Sequence, residues 1–306
     1  MPDYDYKTDT VPFLKRCWKN GLNKKLLDEY KRIFSTPLNV YLITKTMLSC
    51  PHCFLFGPNY RSGKENRGVF IIGKETHRCG CKEIGGNYYS FEKYKLNPQS
   101  LKCREELMME TQTKYLFTDL EKGDRKFLKA LQTIAGVKTG QEFLEANFIW
   151  DELIAMDYDG VGFNKTPKNC SRMPANDQKA VKDYSVNKLK KELNLGEPKY
   201  AIFLIGEYYN ELNDFFNLNW EITPIGNKLT LTAAERYPEK NVQRNIQPQL
   251  INEFWIGEIH CFATSHPDRP IKPEYKEIEG VKTKVVEWDP VIAKKVWEFL
   301  AQEIKK

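Results

Sequence analysis

The sequence lacks the features that mark membrane, secreted and repeat proteins. It contains no apolar run that approaches the roughly 20 residues a membrane-spanning helix requires. Its start, residues 1–7, lacks the basic and then apolar pattern of a secretory signal peptide. It also has no internal repeat and no low-complexity tract. We therefore expect a cytoplasmic protein without membrane contacts.

The chain has little excess charge of either sign. Its 47 lysines and arginines exceed its 41 aspartates and glutamates by a formal charge of +6. This balance permits a polyanionic partner without requiring one. With 306 residues, of which 41% are hydrophobic, the chain is long enough to bury a full core. Its length allows one large α/β domain with elaborations as well as two domains.

The eight cysteines occur in a chain that is long and apolar enough to fold without a disulfide scaffold, so we expect reduced thiols. Two close pairs, Cys50 with Cys53 and Cys79 with Cys81, could together supply the four ligands of a tetrahedral zinc ion. The one-residue gap of the second pair is unusual for zinc, and buried cysteines acting as small hydrophobes explain the same positions. We therefore expect that no cofactor is required, with zinc as the alternative.

Hydrophobic periodicity predicts alternating helices and buried strands. Helical spacing of apolar residues predicts helices over 11–35, 126–135, 176–195 and 289–303. Continuous apolar runs predict strands over 69–72, 148–150, 200–206 and 259–263. In the third helix Lys188, Lys190 and Lys191 are assigned to the solvent-exposed face, with a DNA contact as the less favoured alternative. The segment 241–255 is predicted to be irregular and then helical.

Polar, reactive side chains follow two of the predicted strands. Gly73-Lys74-Glu75-Thr76-His77 follows the strand over 69–72, and Ser265-His266-Pro267-Asp268 follows the strand over 259–263. In an open α/β sheet, ligands bind in the crevice beyond the carboxyl ends of the strands. We therefore expect Glu75 and His266 to face one shared cavity.

The order of these motifs resembles that of the uracil-DNA glycosylase superfamily. Strand-Gly73-Lys74-Glu75-Thr76, strand-Asp151, helix-strand-Gly206 and strand-Ser265-His266-Pro267 follow one another over roughly residues 69–271. Each motif alone is common, so order and position at strand ends carry the resemblance. It implies an α/β fold with three layers, α/β/α, and a short, mostly parallel central sheet. We expect a helical N-terminal extension over 1–48, a catalytic domain over 49–275 and a C-terminal helix packed on that domain over 276–306.

The resemblance implies a monofunctional DNA glycosylase that hydrolyses the N-glycosidic bond of a flipped pyrimidine. In the uracil-specific branch the first motif most often reads Gly-Gln-Asp-Pro-Tyr. Gly73, Lys74, Glu75 and His77 then match the glycine, the glutamine, the water-activating aspartate and the tyrosine. Because cleavage builds an oxocarbenium-like sugar and a negatively charged base, Glu75 would orient water and His266 would hydrogen-bond the departing base.

Departures from the family pattern indicate a base other than uracil. His77 stands where the family's tyrosine crowds the 5 position of the base, so a 5-substituent could fit there. The strand that ends in the uracil-reading asparagine of the family here ends at Asp151, followed by Glu152. An ionised carboxylate only accepts hydrogen bonds, which suits the exocyclic amino group of cytosine. We therefore expect a cytosine or a modified cytosine, with a helix N-cap as the alternative role of Asp151.

Further residues are predicted to hold the base and the DNA. The aromatic side chains of a glycine-rich loop could stack on the base or anchor the loop: Tyr88, Tyr89 and Phe91. Pro267 and Arg269 could contact DNA and Ile271 could fill the gap left by the flipped nucleotide, or they could form a surface loop. One branch of the superfamily binds an iron–sulfur cluster through a Cys-x-x-Cys that Cys50 and Cys53 resemble, but the other cysteines do not follow its spacing.

Two other functions fit the same residues. A nucleic-acid-binding module could retain the scaffold and lack the chemistry. A small-molecule hydrolase could use Glu75 and His266 on another α/β scaffold, because a fold alone does not decide among functions. DNA is the expected partner of both the glycosylase and the binding module. We expect a monomer.

Overall fold

The described part of the chain contains seven helices and eight strands. The structure is a computed structural model, and it describes residues 10–35, 51–63, 68–75, 102–122, 126–155, 175–205, 222–227, 251–267, 275–278, 281–284 and 290–306. The helices are α1 (Thr10–Trp18), α2 (Gly21–Phe34), α3 (Arg104–Lys122), α4 (Lys126–Ala135), α5 (Gly140–Glu145), α6 (Ala175–Gly196) and α7 (Pro290–Glu303). The strands are β1 (Val69–Glu75), β2 (Phe148–Ile154), β3 (Tyr200–Leu204), β4 (Ile222–Asn227), β5 (Ile251–Ile256), β6 (Ile259–Thr264), β7 (Tyr275–Ile278) and β8 (Val281–Lys284).

Six of these strands form one sheet in the order β2-β1-β3-β6-β5-β4. Neighbours among β2, β1, β3 and β6 are parallel, whereas β5 is antiparallel to both β6 and β4. Strands β7 and β8 pair separately as an antiparallel ribbon. The predicted α/β class is therefore confirmed, with a mixed and mostly parallel sheet.

Strand β2 is longer than its apolar run. All seven of its residues are buried, although only Phe148, Ile149 and Trp150 precede the two acidic residues Asp151 and Glu152. The prediction that this strand ends at Asp151 is wrong, because both carboxylates find partners inside the protein and the strand continues to Ile154. By contrast β3, which is buried throughout, is apolar throughout, as expected for a parallel strand covered on both faces.

Helices cover both faces of the sheet at β2. Lys188 of α6 contacts Asp151, while the ring of Phe127 in α4 lies 5.5 Å from the ring of Trp150. Because neighbouring residues of a strand point to opposite faces, α6 and α4 lie on opposite sides of the sheet. Helix α2 packs on α6, and α7 packs on α4.

The N-terminal helices belong to the common core. The helix predicted over 11–35 is two helices, because the side chain of Asn20 caps α2 by accepting a hydrogen bond from the Leu22 amide. Asn23 is fully buried, and it both donates to the carbonyl and accepts from the amide of Phe56. The buried residues of α1 and α2 form one hydrophobic cluster with those of the sheet. These helices are therefore integral to the fold.

Helix α6 confirms the helix predicted over 176–195 but not its exposed face. Lys190 and Lys191 are half-buried, and Lys188 is fully buried, so its assignment to solvent is wrong. Lys188 lies on the same stripe as the buried residues Val181 and Glu192, where Asp151 supplies its counter-charge. None of the helices in the described stretches has the length and apolar character needed to span a membrane.

The segment predicted to become helical near residue 255 is a strand instead. Residues Ile251–Ile256 form β5, which pairs with β6 through a tight turn at Gly257 and Glu258. Gly257 has a φ of +55°, a left-handed conformation that glycine adopts without strain and that suits a two-residue hairpin turn. Pairing with β6 therefore determines the conformation of this segment.

Candidate functional site

Four residues are in register across the carboxyl edge of the parallel strands. Glu152 of β2 lies beside Gly73 of β1, Gly73 lies beside Leu204 of β3, and Leu204 lies beside Thr264 of β6. The carboxyl ends of four strands therefore meet at one edge of the sheet. This is the edge at which open α/β sheets bind ligands.

The two predicted catalytic residues extend from this row. Glu75 ends β1 two residues beyond Gly73, in register with Ile154, and His266 lies two residues beyond the end of β6. Strand β3 alone separates β1 from β6, so the two strand ends are two interstrand spacings apart, about 10 Å. The backbone thus carries Glu75 and His266 to the same edge on either side of β3.

The carboxylate of Glu152 lies directly over Gly73. A β-carbon built on Gly73 would stand 2.2 Å from Oε2 of Glu152 and 2.8 Å from its Cδ, so any side chain at residue 73 would displace the carboxylate. Glu152 is 3% exposed, and Nε1 of Trp150 donates a hydrogen bond to its Oε1 at 2.8 Å. Gly73 provides the space for this carboxylate and Trp150 fixes its orientation.

A series of aromatic rings connects Glu152 to His266. The ring of Trp150, which donates to Glu152, lies 5.5 Å from the ring of Phe127. The Phe127 ring in turn lies 6.0 Å from the His266 ring, with the two planes inclined by 20°. His266 is half-buried and Pro267 is buried. The carboxylate and the imidazole therefore lie on one face of the sheet, the face that α4 covers.

Asp151, which the sequence suggested would contact the base, lies on the opposite face of β2. It is fully buried, and its Oδ1 accepts a hydrogen bond from Nζ of Lys188 at 2.8 Å and lies 3.3 Å from Nδ1 of His52. It does not cap a helix, because it lies within the strand. The assignment is corrected accordingly: Glu152 occupies the position at the carboxyl edge, and Asp151 holds an internal ion pair.

Asp151 belongs to a buried polar cluster that we define as Tyr30, His52, Asp151, Lys188 and Glu192. Nζ of Lys188 lies between the two carboxyl groups, 2.8 Å from Oδ1 of Asp151 and 2.6 Å from Oε1 of Glu192. The hydroxyl of Tyr30 donates to Oε1 of Glu192. The cluster thereby connects α2, the segment 51–57, β2 and α6.

Burial and mutual contact set the protonation states of the cluster. Burial alone would raise the pKa of the Asp151 carboxyl, but the Lys188 ammonium and the His52 hydrogen bond hold that pKa below its usual value. Burial likewise opposes charge on Lys188, but Asp151 and then Glu192 raise its pKa. Burial, followed by the Asp151 charge, raises the pKa of Glu192 well above its usual value. Burial lowers the pKa of His52 although Asp151 opposes the shift.

These directions favour a neutral cluster: Lys188 and Asp151 are each shifted toward the charged form, and Glu192 and His52 are each shifted toward the uncharged form. A charge pair that is compensated in this way can be buried without the penalty of an isolated ion. Oδ2 of Asp151 is buried and has no hydrogen-bond partner among the described residues.

Several predicted site residues lie outside the described residues, and nothing places them. They are His77, Tyr88, Tyr89, Phe91, Arg269 and Ile271, together with the cysteines Cys50, Cys79 and Cys81. Gly73, Lys74 and Glu75 are the last three residues of β1, so the prediction that this strand ends at Ile72 is wrong. Cys53 is fully buried, and burial raises the pKa of its thiol. Across the described stretches, no group of three or more histidine, cysteine, aspartate or glutamate side chains is arranged to hold a metal ion.

Sequence reasoning missed the partners of both carboxylates. The alternation of a strand could have separated Asp151 from Glu152, because consecutive residues face opposite sides. Lys188 and Glu192 are four residues apart on α6, the spacing of a helical ion pair, and Lys188 continues the apolar stripe through Val181. No pattern in the sequence identifies Phe127 as the neighbour of His266, since that contact joins distant segments.

Replacing Lys188 with methionine should destabilise the protein by about 3–5 kcal/mol, because Asp151 would remain buried without its counter-charge. Urea unfolding followed by tryptophan fluorescence measures the loss. Lys191→Met is the matched control: it lies one turn away with a side chain 41% exposed, and its cost should stay below about 1 kcal/mol. Equal losses in the two variants would contradict the internal ion pair.

Replacing Glu192 with glutamine should change how stability depends on pH. The folded-state pKa of Glu192 is raised above its ordinary value of 4.5, so its contribution is fully present below that value and is lost as pH rises toward the folded pKa. Glutamine does not titrate. The unfolding free energy of Glu192→Gln relative to the wild type should therefore increase from about pH 5 to pH 8. A relative stability that is constant or decreases in a urea series would mean that Glu192 is ionised in the folded protein.

No protein-family model matches this chain, and no curated protein matches it. The candidate site therefore rests on the geometry of the carboxyl edge and on the order of its motifs.

Proposed function

We propose that this protein is a monofunctional DNA glycosylase that hydrolyses the N-glycosidic bond of a flipped cytosine or modified cytosine. The observation that carries the proposal is the Glu152 carboxylate seated over Gly73 and linked through Trp150 and Phe127 to His266. These groups lie at the carboxyl edge of parallel strands, where a ligand is expected.

The arrangement of the sheet supports a scaffold like that of the uracil-DNA glycosylase superfamily. In this proposal α2 with α6, the sheet, and α4 with α7 are the three layers of an α/β/α fold. The motif at the end of β1 and the motif after β6 then lie on either side of the end of β3. In this proposal a pyrimidine ring enters between the ends of β1 and β6, whose backbones are about 10 Å apart.

The proposed chemistry assigns one role to each side of this opening. Departure of the base leaves an oxocarbenium-like sugar and puts negative charge on the base. Glu75 stabilises the sugar and orients the attacking water, and His266 donates a hydrogen bond to the departing base. The stacked Phe127 ring holds the imidazole of His266 in place. Extruding the nucleotide costs a few kcal/mol, which contacts to DNA must offset.

Glu152 is the group proposed to select the base. When ionised, a carboxylate offers only acceptors, so it pairs with the exocyclic amino group of cytosine and disfavours the O4 acceptor of uracil. Nε1 of Trp150 donates a hydrogen bond to Oε1 of this carboxylate and thereby orients it. Glu152 is therefore proposed to take the base-reading role that the sequence suggested for Asp151. His77 in place of the family's tyrosine is consistent with a substituent at the 5 position.

Glu75→Gln and His266→Ala should each lower the rate of base release by at least a hundredfold, as expected for the loss of a catalytic carboxylate or donor. The assay incubates duplexes that contain uracil, cytosine or 5-substituted cytosines and identifies the released bases by mass spectrometry. We expect release of a cytosine-type base by the wild-type protein. Binding to the same duplexes should persist in both variants.

Three results would contradict the proposal. Release of uracil alone would refute the cytosine assignment. DNA binding without release of any base would favour a binding module on the same scaffold. Hydrolysis of small molecules by a protein that shows no salt-dependent binding to DNA would favour the small-molecule hydrolase.

A further inference from the structure

Positive charge is concentrated in two parts of the sequence that lie together in the fold. Residues 10–35, which contain α1 and α2, and residues 175–196, which form α6, carry 12 lysines and arginines against 5 aspartates and glutamates. These two segments have a net charge of +7, whereas the whole chain has +6. The rest of the chain therefore has a net charge of −1, and the basic character of the protein resides in these helices.

Helices α2 and α6 form one continuous surface. Tyr30 bonds to Glu192, and one turn later in α2 the ring of Phe34 stacks 5.8 Å from that of Tyr184, which lies earlier in α6, so the helices run antiparallel. On the outer surface, Nζ of Lys191 lies 3.9 Å from Oε2 of Glu29. We define the basic stripe as the outward cations of the two helices: Lys24, Lys25, Lys31, Arg32, Lys179, Lys182, Lys190 and Lys191.

Few acidic groups offset the basic stripe. Three acidic residues share the outer surface, Asp28, Glu29 and Asp183, and Glu29 already contacts both Arg32 and Lys191. The two other acidic residues of α6, Asp177 and Glu192, are buried. Five of the stripe's cations make no ion pair with any residue of the described stretches: Lys24, Lys25, Lys31, Lys179 and Lys190. Such a surface attracts anions.

The stripe begins at the carboxyl edge of the sheet and extends away from it. Helix α6 connects β2 to β3, which run in the same direction, so it returns from the carboxyl edge to the amino edge. Lys179 therefore lies toward the carboxyl edge and Lys191 toward the amino edge. The helix rises by about 18 Å over the 12 residue steps from Lys179 to Lys191. A single DNA strand carries about five phosphates over that distance.

We propose that the basic stripe binds the phosphate backbone of duplex DNA on one side of the nucleotide held at the carboxyl edge. A line of unpaired cations suits a polyanion with regularly repeated charges. The choice of DNA as that polyanion rests on the proposed function. Contacts of this kind carry no sequence information; they position the duplex and add affinity that depends on salt.

The test compares two fourfold variants with the same net charge. The stripe variant is Lys24→Gln, Lys25→Gln, Lys179→Gln and Lys190→Gln. The control is Lys129→Gln, Lys138→Gln, Lys294→Gln and Lys305→Gln, at exposed lysines in or beside α4 and α7. Fluorescence anisotropy gives the affinity for an undamaged duplex as a function of salt. Each lost phosphate contact lowers the slope of log K against log salt by about 0.9, so we expect a decrease of about 2–4 for the stripe variant and less than about 1 for the control.

The outcomes separate this inference from the proposed chemistry. Equal losses in both variants, unchanged binding by the stripe variant, or absence of DNA binding by the wild type would each overturn it. The inference would also be overturned if the stripe variant bound DNA as the wild type does but lost binding to vesicles of phosphatidylserine and phosphatidylcholine. A selective loss of salt-dependent DNA binding supports the stripe even if no base is released. If the wild-type protein releases a base and the stripe and control variants bind DNA equally well, the inference about the stripe is refuted and the glycosylase proposal stands.

Discussion

The buried ion pair between Lys188 and Asp151 determines which way the end of β2 faces. Side chains alternate along a strand, so a shift of one residue would exchange the positions of Asp151 and Glu152. Lys188 favours a carboxylate on the side of α6 at residue 151. Gly73 leaves room for one on the opposite side at residue 152. The two carboxylates thus have different roles because each faces a different environment.

The same cluster links distant parts of the chain to the candidate site. Tyr30 extends it to α2 and His52 extends it to the segment 51–57. These segments also exchange hydrogen bonds at Asn23 and Phe56. The N-terminal helices therefore stabilise β2 from the face of the sheet that α6 covers. The edge that carries Glu152 thus depends on residues far away in sequence. The cluster's charged groups Lys188 and Asp151 are buried as an ion pair, which avoids the cost of an isolated buried ion.

Local patterns were sufficient to predict most elements of the fold. The continuous apolar run of β3 and the helical spacing of α4, α6 and α7 are properties of a few neighbouring residues, and these elements were predicted nearly to their ends. The strand β5 was not, because its conformation depends on pairing with β6. The burial of Lys188 was missed for a similar reason, since its counter-charge lies 37 residues away. For the candidate site, the sequence predicted His266 just beyond the end of β6, but it ended β1 at Ile72, whereas Gly73, Lys74 and Glu75 continue that strand. It could not choose between Asp151 and Glu152, because that choice depends on what packs against each face of β2.

The central claim is that Glu152, and not Asp151, faces the substrate. The most direct measurement compares Glu152→Gln with Asp151→Asn, two isosteric changes at adjacent residues, by the rate of base release per folded molecule. We predict that Glu152→Gln lowers release of the cytosine-type base by more than tenfold while stability changes little, since the loss is one of base recognition. Asp151→Asn should lower stability, because Lys188 loses its counter-charge, and should leave release per folded molecule unchanged. The opposite pattern would contradict the account.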